Sequence, residues 1–140
     1  DCDHFDFAKY RLNKIVNDRN LQNNISLNFE TVTHDKLPEF NNEKVDVLFC
    51  FEVLEHVPSP VAVINNIKAC MKPGSVYIEN FIKHSVKEGE DEDGPDLLSA
   101  RNEREDYFDI LNEYFNLLHP NKEMPEVNPN ITRIWQRNNT

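Results

Sequence analysis

The run VDVLFCF, residues 45 to 51, constrains this chain more than any other stretch. All of it but Asp46 is apolar, and it is rich in β-branched and aromatic side chains. A segment this short and this uniformly apolar reads as a strand covered on both faces, the pattern of a parallel sheet. Directly after it comes EVLEH, which sets two carboxylates and an imidazole, Glu52, Glu55 and His56, just past the strand. Pro58 and Pro60 punctuate the turn beyond. In open α/β sheets ligands gather outside the carboxyl ends of the strands. EVLEH therefore stands where chemistry is expected. Its plain alternative is the polar start of a helix.

The flanking segments supply the rest of an α/β alternation. Apolar positions at Phe5, Ala8, Leu12, Ile15 and Val16 predict a helix over 5–19. Ile25, Leu27 and Phe29 alternate with polar residues and predict a strand over 25–32, followed by a polar loop over 33–44. Ser59 is a natural N-cap and Pro60 a natural first helical residue, so a helix is expected over 59–71. Lys72-Pro73-Gly74 ends it, and 75–82 predicts another strand. Residues 84–96 read as an acidic loop, 100–118 as an amphipathic helix, 119–130 as a proline-bearing loop and 131–137 as a final strand. The order indicates a single α/β domain with a largely parallel sheet.

The charge balance narrows the partners. With 25 acidic and 15 basic residues the chain carries a net charge of −10. That argues against general binding to nucleic acid or an anionic membrane, where phosphates need clustered Lys and Arg; a nucleic acid docked at a small local patch stays open. No apolar run approaches the roughly 20 residues of a membrane span. Cys2, Cys50 and Cys70 are odd in number and far apart, which suits reduced thiols and a cytoplasmic protein. There are only three glycines, and none forms a phosphate-cradling loop.

VDVLFCFEVLEHV, a proline turn, a helix, then Lys72-Pro73-Gly74-Ser75 and a strand, resembles the class I S-adenosylmethionine-dependent methyltransferases. The resemblance is specific over 45–82 and looser over the rest of 1–137. It implies a Rossmann-like fold with strand order 3-2-1-4-5-7-6, in which VDVLFCF is the fourth strand. It also implies S-adenosylmethionine as cofactor. Asp1-Cys2-Asp3 followed by FDFAKYRL is similar to the family's junction after its second strand, where an acidic residue holds the ribose hydroxyls; Asp1 and Asp3 are both candidates. Asp35, in THDKLPEF, is the nearest match to the acidic residue that meets the adenine amino group. Cys50 and Phe51 are expected to line the pocket for the methionine part. The family's Gly-rich loop has no counterpart here. The expectation is a C-terminal part of one methyltransferase domain, residues 1–140, truncated at the N-terminus and lacking the first strand and most of the second. The strand at 45–51 should then show an apolar edge.

In two subgroups of that family, the quinone-precursor O-methyltransferases and the small-RNA 2′-O-methyltransferases, E-x-x-E-H at this position holds a metal. The resemblance thus implies catalytic and metal-ligating roles for Glu52, Glu55 and His56, with Mg²⁺ or Mn²⁺ as the ion. His84 and Asp96 are candidates for the further ligands. A metal would lower the pKa of an acceptor hydroxyl and place its oxygen in line with the methyl group. A metal-free role as general base, and a structural role capping the next helix, remain alternatives. The expected function is methyl transfer to an oxygen of a small molecule, and the alternative is a non-catalytic remnant or subunit of the same fold acting through protein contacts. Residues 86–96 and 100–118 are expected on the substrate side. Oligomeric state is not legible.

Overall fold

The computed structural model describes residues 2–27, 29, 45–81, 97–120 and 132–139. The chain divides into two units, Asp1–Thr33 and His34–Thr140.

The first unit is built on one helix, α1 (Cys2–Asp18). Its end is a paired-hydrogen-bond stop. Asn20 sits at φ 53°, Leu21 N–H donates to Val16 O at 2.9 Å and Asn20 N–H to Asn17 O at 3.1 Å. Asparagine is the residue after glycine that most readily takes this left-handed position. Lys14 and Asp18 pair across one turn at 2.8 Å. The strand expected over 25–32 is not found at its described residues, 25–27 and 29. Ile25 N–H instead closes back onto Leu21 O at 2.9 Å. Alternation makes a strand only where a ladder partner takes up the backbone groups.

The second unit follows the order β1 (Val45–Cys50), a 3₁₀ turn (Leu54–His56), α2 (Pro60–Cys70), β2 (Met71–Glu79), α3 (Leu98–Asn102), α4 (Arg104–Tyr114), β3 (Phe115–His119) and β4 (Arg133–Arg137). The strands form one sheet in the order β1-β2-β4-β3. β1 and β2 are parallel, while β4 runs antiparallel to both β2 and β3. Three strands therefore point one way and β4 is wedged among them, reversed. This is the 4-5-7-6 half of the order the resemblance implies, with the last strand of the chain inserted beside the fifth.

The helix after β1 forms as its capping residues require. Ser59 Oγ accepts from Ala62 N at 3.1 Å and Pro60 opens the helix. Glu103, at the α3–α4 junction, adds its carboxylate: it accepts from Ser59 Oγ at 2.7 Å and from Val61 N at 3.0 Å. A negative charge at a helix N-terminus also opposes the helix dipole. The Lys-Pro-Gly segment is the irregular start of β2, not a free loop. Val45 lies opposite Met71 but Val47 opposite Val76. The extra residues bulge outward around Gly74, whose φ of 83° suits a residue without Cβ.

The expected helix over 100–118 is corrected. It is α3 and α4, and from Phe115 onward the chain is strand β3. Phe115 and Leu118 continue the helical spacing from Leu111, so periodicity alone carries the helix too far. The pairing of Phe115, Asn116 and Leu117 with Arg137, Gln136 and Trp135 overrides it. β4 also closes the end of α4: Arg137 Nη1 and Asn138 N both donate to Tyr114 O, at 2.9 and 3.0 Å.

One face of the sheet packs on α2 and α4. Tyr77 and Glu79 of β2, Cys50 of β1 and Trp135 of β4 are buried there with Ile64, Tyr107 and Leu111. The other face of β1 shows Val47 and Phe49, 50% and 64% exposed. β1 is also the edge of the sheet among the described residues. No described helix is long and apolar enough to cross a membrane.

An apolar unpaired edge is a site of self-association. The 140-residue chain is expected to scatter light at micromolar concentration, and Phe49→Lys to reduce that scattering without lowering Tm; equal scattering would show that another surface is responsible. Glu103→Ala is expected to cost about 1–2 kcal/mol in denaturant unfolding, and to add little once Ser59→Ala is present, since both remove the same cap.

Candidate active site

The site is assembled where β1 and β2, side by side and parallel, reach their carboxyl ends. Cys50 and Glu79 lie opposite each other in the register. One step beyond, the chain leaves β1 through Phe51 and Glu52 and leaves β2 through Asn80 and Phe81. Glu52 takes φ 51°, a left-handed conformation rare for a residue with a side chain. Such a conformation costs on the order of 1 kcal/mol or more and persists where neighbours over-determine it. Asn80 is that neighbour. Glu52 N–H donates to Asn80 Oδ1 at 2.9 Å, and Asn80 Nδ2 donates back to Glu52 Oε1.

Glu55 has the opposite environment. It lies in the 3₁₀ turn, only 2% exposed. Its main-chain oxygen accepts from Leu97 N at 2.9 Å, which ties the turn to the start of α3. Its carboxylate oxygens have no hydrogen-bond partner among the described residues. His56, next along, is exposed.

Beneath these groups lies a buried polar layer. The Tyr77 and Tyr107 hydroxyls meet at 2.9 Å. Burial pushes both phenols well above the usual tyrosine range. The Cys50 thiol is also raised, to about 11: burial is the main cause, the nearby Glu79 and Glu55 carboxylates add to it, and a hydrogen bond with Tyr77 partly offsets it. Glu79, fully buried, is saturated with donors. Arg133 Nε lies at 2.6 Å and Arg133 Nη2 at 3.2 Å, with Trp135 Nε1 at 3.0 Å and Phe81 N at 2.6 Å.

The comparison with family models decides what this arrangement belongs to. A model described as a methyltransferase domain matches residues 3–116, most of the chain. This chain is a class I S-adenosylmethionine-dependent methyltransferase family member. Among curated proteins it is similar to the ubiquinone biosynthesis O-methyltransferase of Haemophilus ducreyi, 33% identical over 78 residues, which cover 53% of this chain and 33% of that protein. The protein of the same name from Hahella chejuensis is 38% identical over 67 residues, 48% of this chain and 28% of that one. The protein of the same name from Colwellia psychrerythraea is 33% identical over 67 residues, 48% of this chain and 27% of that one. The matched part thus spans about a third or less of the length of these relatives. No solved structure matches the chain.

Against the family pattern, the sequence-predicted residues fall into three groups. Cys50, Phe51, Glu52, Glu55 and His56 are together at the end of β1, as its strand-then-turn pattern dictates. Phe51 is 44% exposed and its ring lies 6.1 Å from that of Phe49. Asp3 sits in the first turn of α1, inside the helix, and its side chain is not among those described. Asp1, Asp35, His84 and Asp96 lie outside the described residues. Sequence reasoning missed Asn80, Glu79, Tyr77 and Tyr107. No local signal in 75–82 marks Asn80: which polar residue meets Glu52 is set by the parallel register of β1 and β2.

The raised Cys50 thiol gives a pH test. A thiol whose folded pKa lies above its usual 9.0 stabilises the fold below that pH, and the contribution fades as pH rises toward about 11. Alkylation of Cys50, followed by peptide mass spectrometry, is expected to be slow at pH 8 in the folded protein. It should accelerate on unfolding or between pH 9.0 and about 11. Fast labelling at pH 8 would place Cys50 in an exposed, charged setting.

Proposed function

We propose that the protein takes part in methyl transfer from S-adenosylmethionine to an oxygen of a small molecule, with the EVLEH turn on the acceptor side. The observation that carries this reading is the Glu55 carboxylate, buried and without a hydrogen-bond partner among the described residues, at the carboxyl end of a strand. A carboxylate in that position favours a ligand that brings a donor, and an acceptor hydroxyl is one. Glu55 would take the hydroxyl proton as the oxygen forms its bond to the methyl carbon and the bond from that carbon to sulfur breaks. S-adenosylmethionine supplies the methyl group. Cys50 and Phe51 are the described candidates to border its methionine part, and Asp1, Asp3 and Asp35 the candidates for its nucleoside. The printed name of the curated relatives, ubiquinone biosynthesis O-methyltransferase, supports oxygen as the acceptor atom. The buried free thiols of Cys50 and Cys70 suit a reducing, cytoplasmic setting.

A metal at Glu52, Glu55 and His56 fits less well. Glu52 is already bound to Asn80, His56 is exposed, and among the described residues no group of three His, Cys, Asp or Glu side chains converges to hold an ion. Asn80 holds one oxygen of the Glu52 carboxylate, and no step is routed through an ion.

The test is radiolabelled methyl transfer from S-adenosylmethionine to a catechol by the full-length protein. Glu55→Gln is expected to lower kcat by about 100-fold or more with little change in KM for S-adenosylmethionine. The same substitution is expected to raise stability by about 1 kcal/mol, because it removes a buried carboxylate that the fold leaves unsatisfied. An active, unstabilised Glu55→Gln variant would sink the reading. A chelator arm completes it: activity lost to chelator and restored only by Mg²⁺ or Mn²⁺ would return the ion to the site. No transfer by the unaltered protein would favour the protein-contact alternative.

A further inference from the structure

We infer that Asn80 is a positioning residue that sets Glu52 for the acceptor, and that it is itself set by β4. The inference rests on the reading of EVLEH as the acceptor side and goes beyond it, since nothing in the sequence pattern points to Asn80.

The geometry is specific. Asn80 makes two bonds to one residue, accepting from the Glu52 main chain at 2.9 Å and donating to its carboxylate. A primary amide is the side chain that does both at once, because it carries an acceptor and donors on one planar group. The main-chain bond supports the left-handed backbone of Glu52, and the side-chain bond chooses the direction of its carboxylate. Neither bond lies within a regular ladder, so neither is a by-product of sheet formation.

Asn80 is fixed in turn by its neighbours. Glu79 before it is buried and bound to Arg133 and Trp135 of β4. Phe81 after it donates its N–H to Glu79 Oε2 at 2.6 Å, and its carbonyl accepts from Arg133 Nη2. The backbone on both sides of Asn80 is therefore held by one carboxylate and one guanidinium. The Phe81 ring is anchored as well, edge-on to Tyr107 at 5.2 Å. β4 thus reaches the end of β1 through a three-residue turn of β2, although β4 does not pair with β1.

The experiment uses the full-length protein and two substitutions of Asn80, with Glu52→Gln as a third variant. Asn80→Ala removes both bonds; Asn80→Asp keeps an acceptor for the Glu52 N–H but lacks the amide donor. Amide exchange followed by NMR is expected to show the Glu52 N–H exchanging roughly ten-fold faster in Asn80→Ala and near the wild-type rate in Asn80→Asp. With a catechol acceptor, both variants are expected to lose about 100-fold in kcat, with KM for S-adenosylmethionine unchanged. Unchanged exchange in Asn80→Ala overturns the proposal. So does lost protection with kcat intact, which would make the clamp structural only. If the unaltered protein transfers no methyl group to the catechol while Asn80→Ala still loses protection, the acceptor-side reading fails, the functional half of this inference falls with it, and the clamp itself stands. If Glu52→Gln is fully active and Asn80→Ala is not, Asn80 acts by some route other than Glu52 and the proposal is wrong.

Discussion

Glu79 is the group on which the rest of the second unit depends. It ends β2, an inner strand of the sheet, with no exposure to solvent, and its carboxylate would be intolerable there alone. Arg133 and Trp135 on one side and the Phe81 N–H on the other satisfy it. Such a pair contributes less by attraction than by the penalty for breaking it: removing one partner leaves a buried charge, at a cost of about 3–5 kcal/mol. The result is specificity. β4 can enter the sheet only where Arg133 meets Glu79, which fixes both its register and its place between β2 and β3. The aromatic layer then closes over the pair, with the Arg133 guanidinium 4.8 Å from the centre of the Phe108 ring.

Glu55 shows by contrast a buried carboxylate that no described residue completes. Both residues are almost without exposure, yet Glu79 has four donor contacts and Glu55 has none among the described residues. Among the described residues Glu55 lacks a donor, close to a Glu52 in a left-handed conformation, and local inconsistencies of this kind are the places to look for function.

Much of this was legible in the sequence. VDVLFCF forms the expected strand because a run so apolar has no other stable home. Ser59 and Pro60 start α2 where capping chemistry places it, and among the described residues β1 is an edge strand with an exposed apolar face. The failures share a cause. Residues 25–27 alternate but do not form strand, and 115–119 keep helical spacing but do not form helix. In both cases backbone pairing, not side-chain pattern, decides, and pairing is a property of segments far apart in the chain. Asn80 is the same problem at the scale of one side chain: its partner is Glu52, and nothing in Ile-Glu-Asn announces which polar residue will reach across.

The order of strands carries a consequence for how the site comes into being. EVLEH lies in the middle of the chain, but the contacts that fix Asn80 come from Arg133 and Trp135, separated from Glu79 by 54 and 56 residues. Contacts so distant in sequence form only after the intervening loop has been closed, against its entropy. β1, α2 and β2 are contiguous and can associate early through local contacts. Until β4 arrives, however, Glu79 has no counter-charge, the turn around Asn80 has no anchor, and Glu52 has little reason to stay in its left-handed conformation. The carboxyl end of β1 is thus completed by β4, and the geometry of Glu52 reports whether that strand is in place.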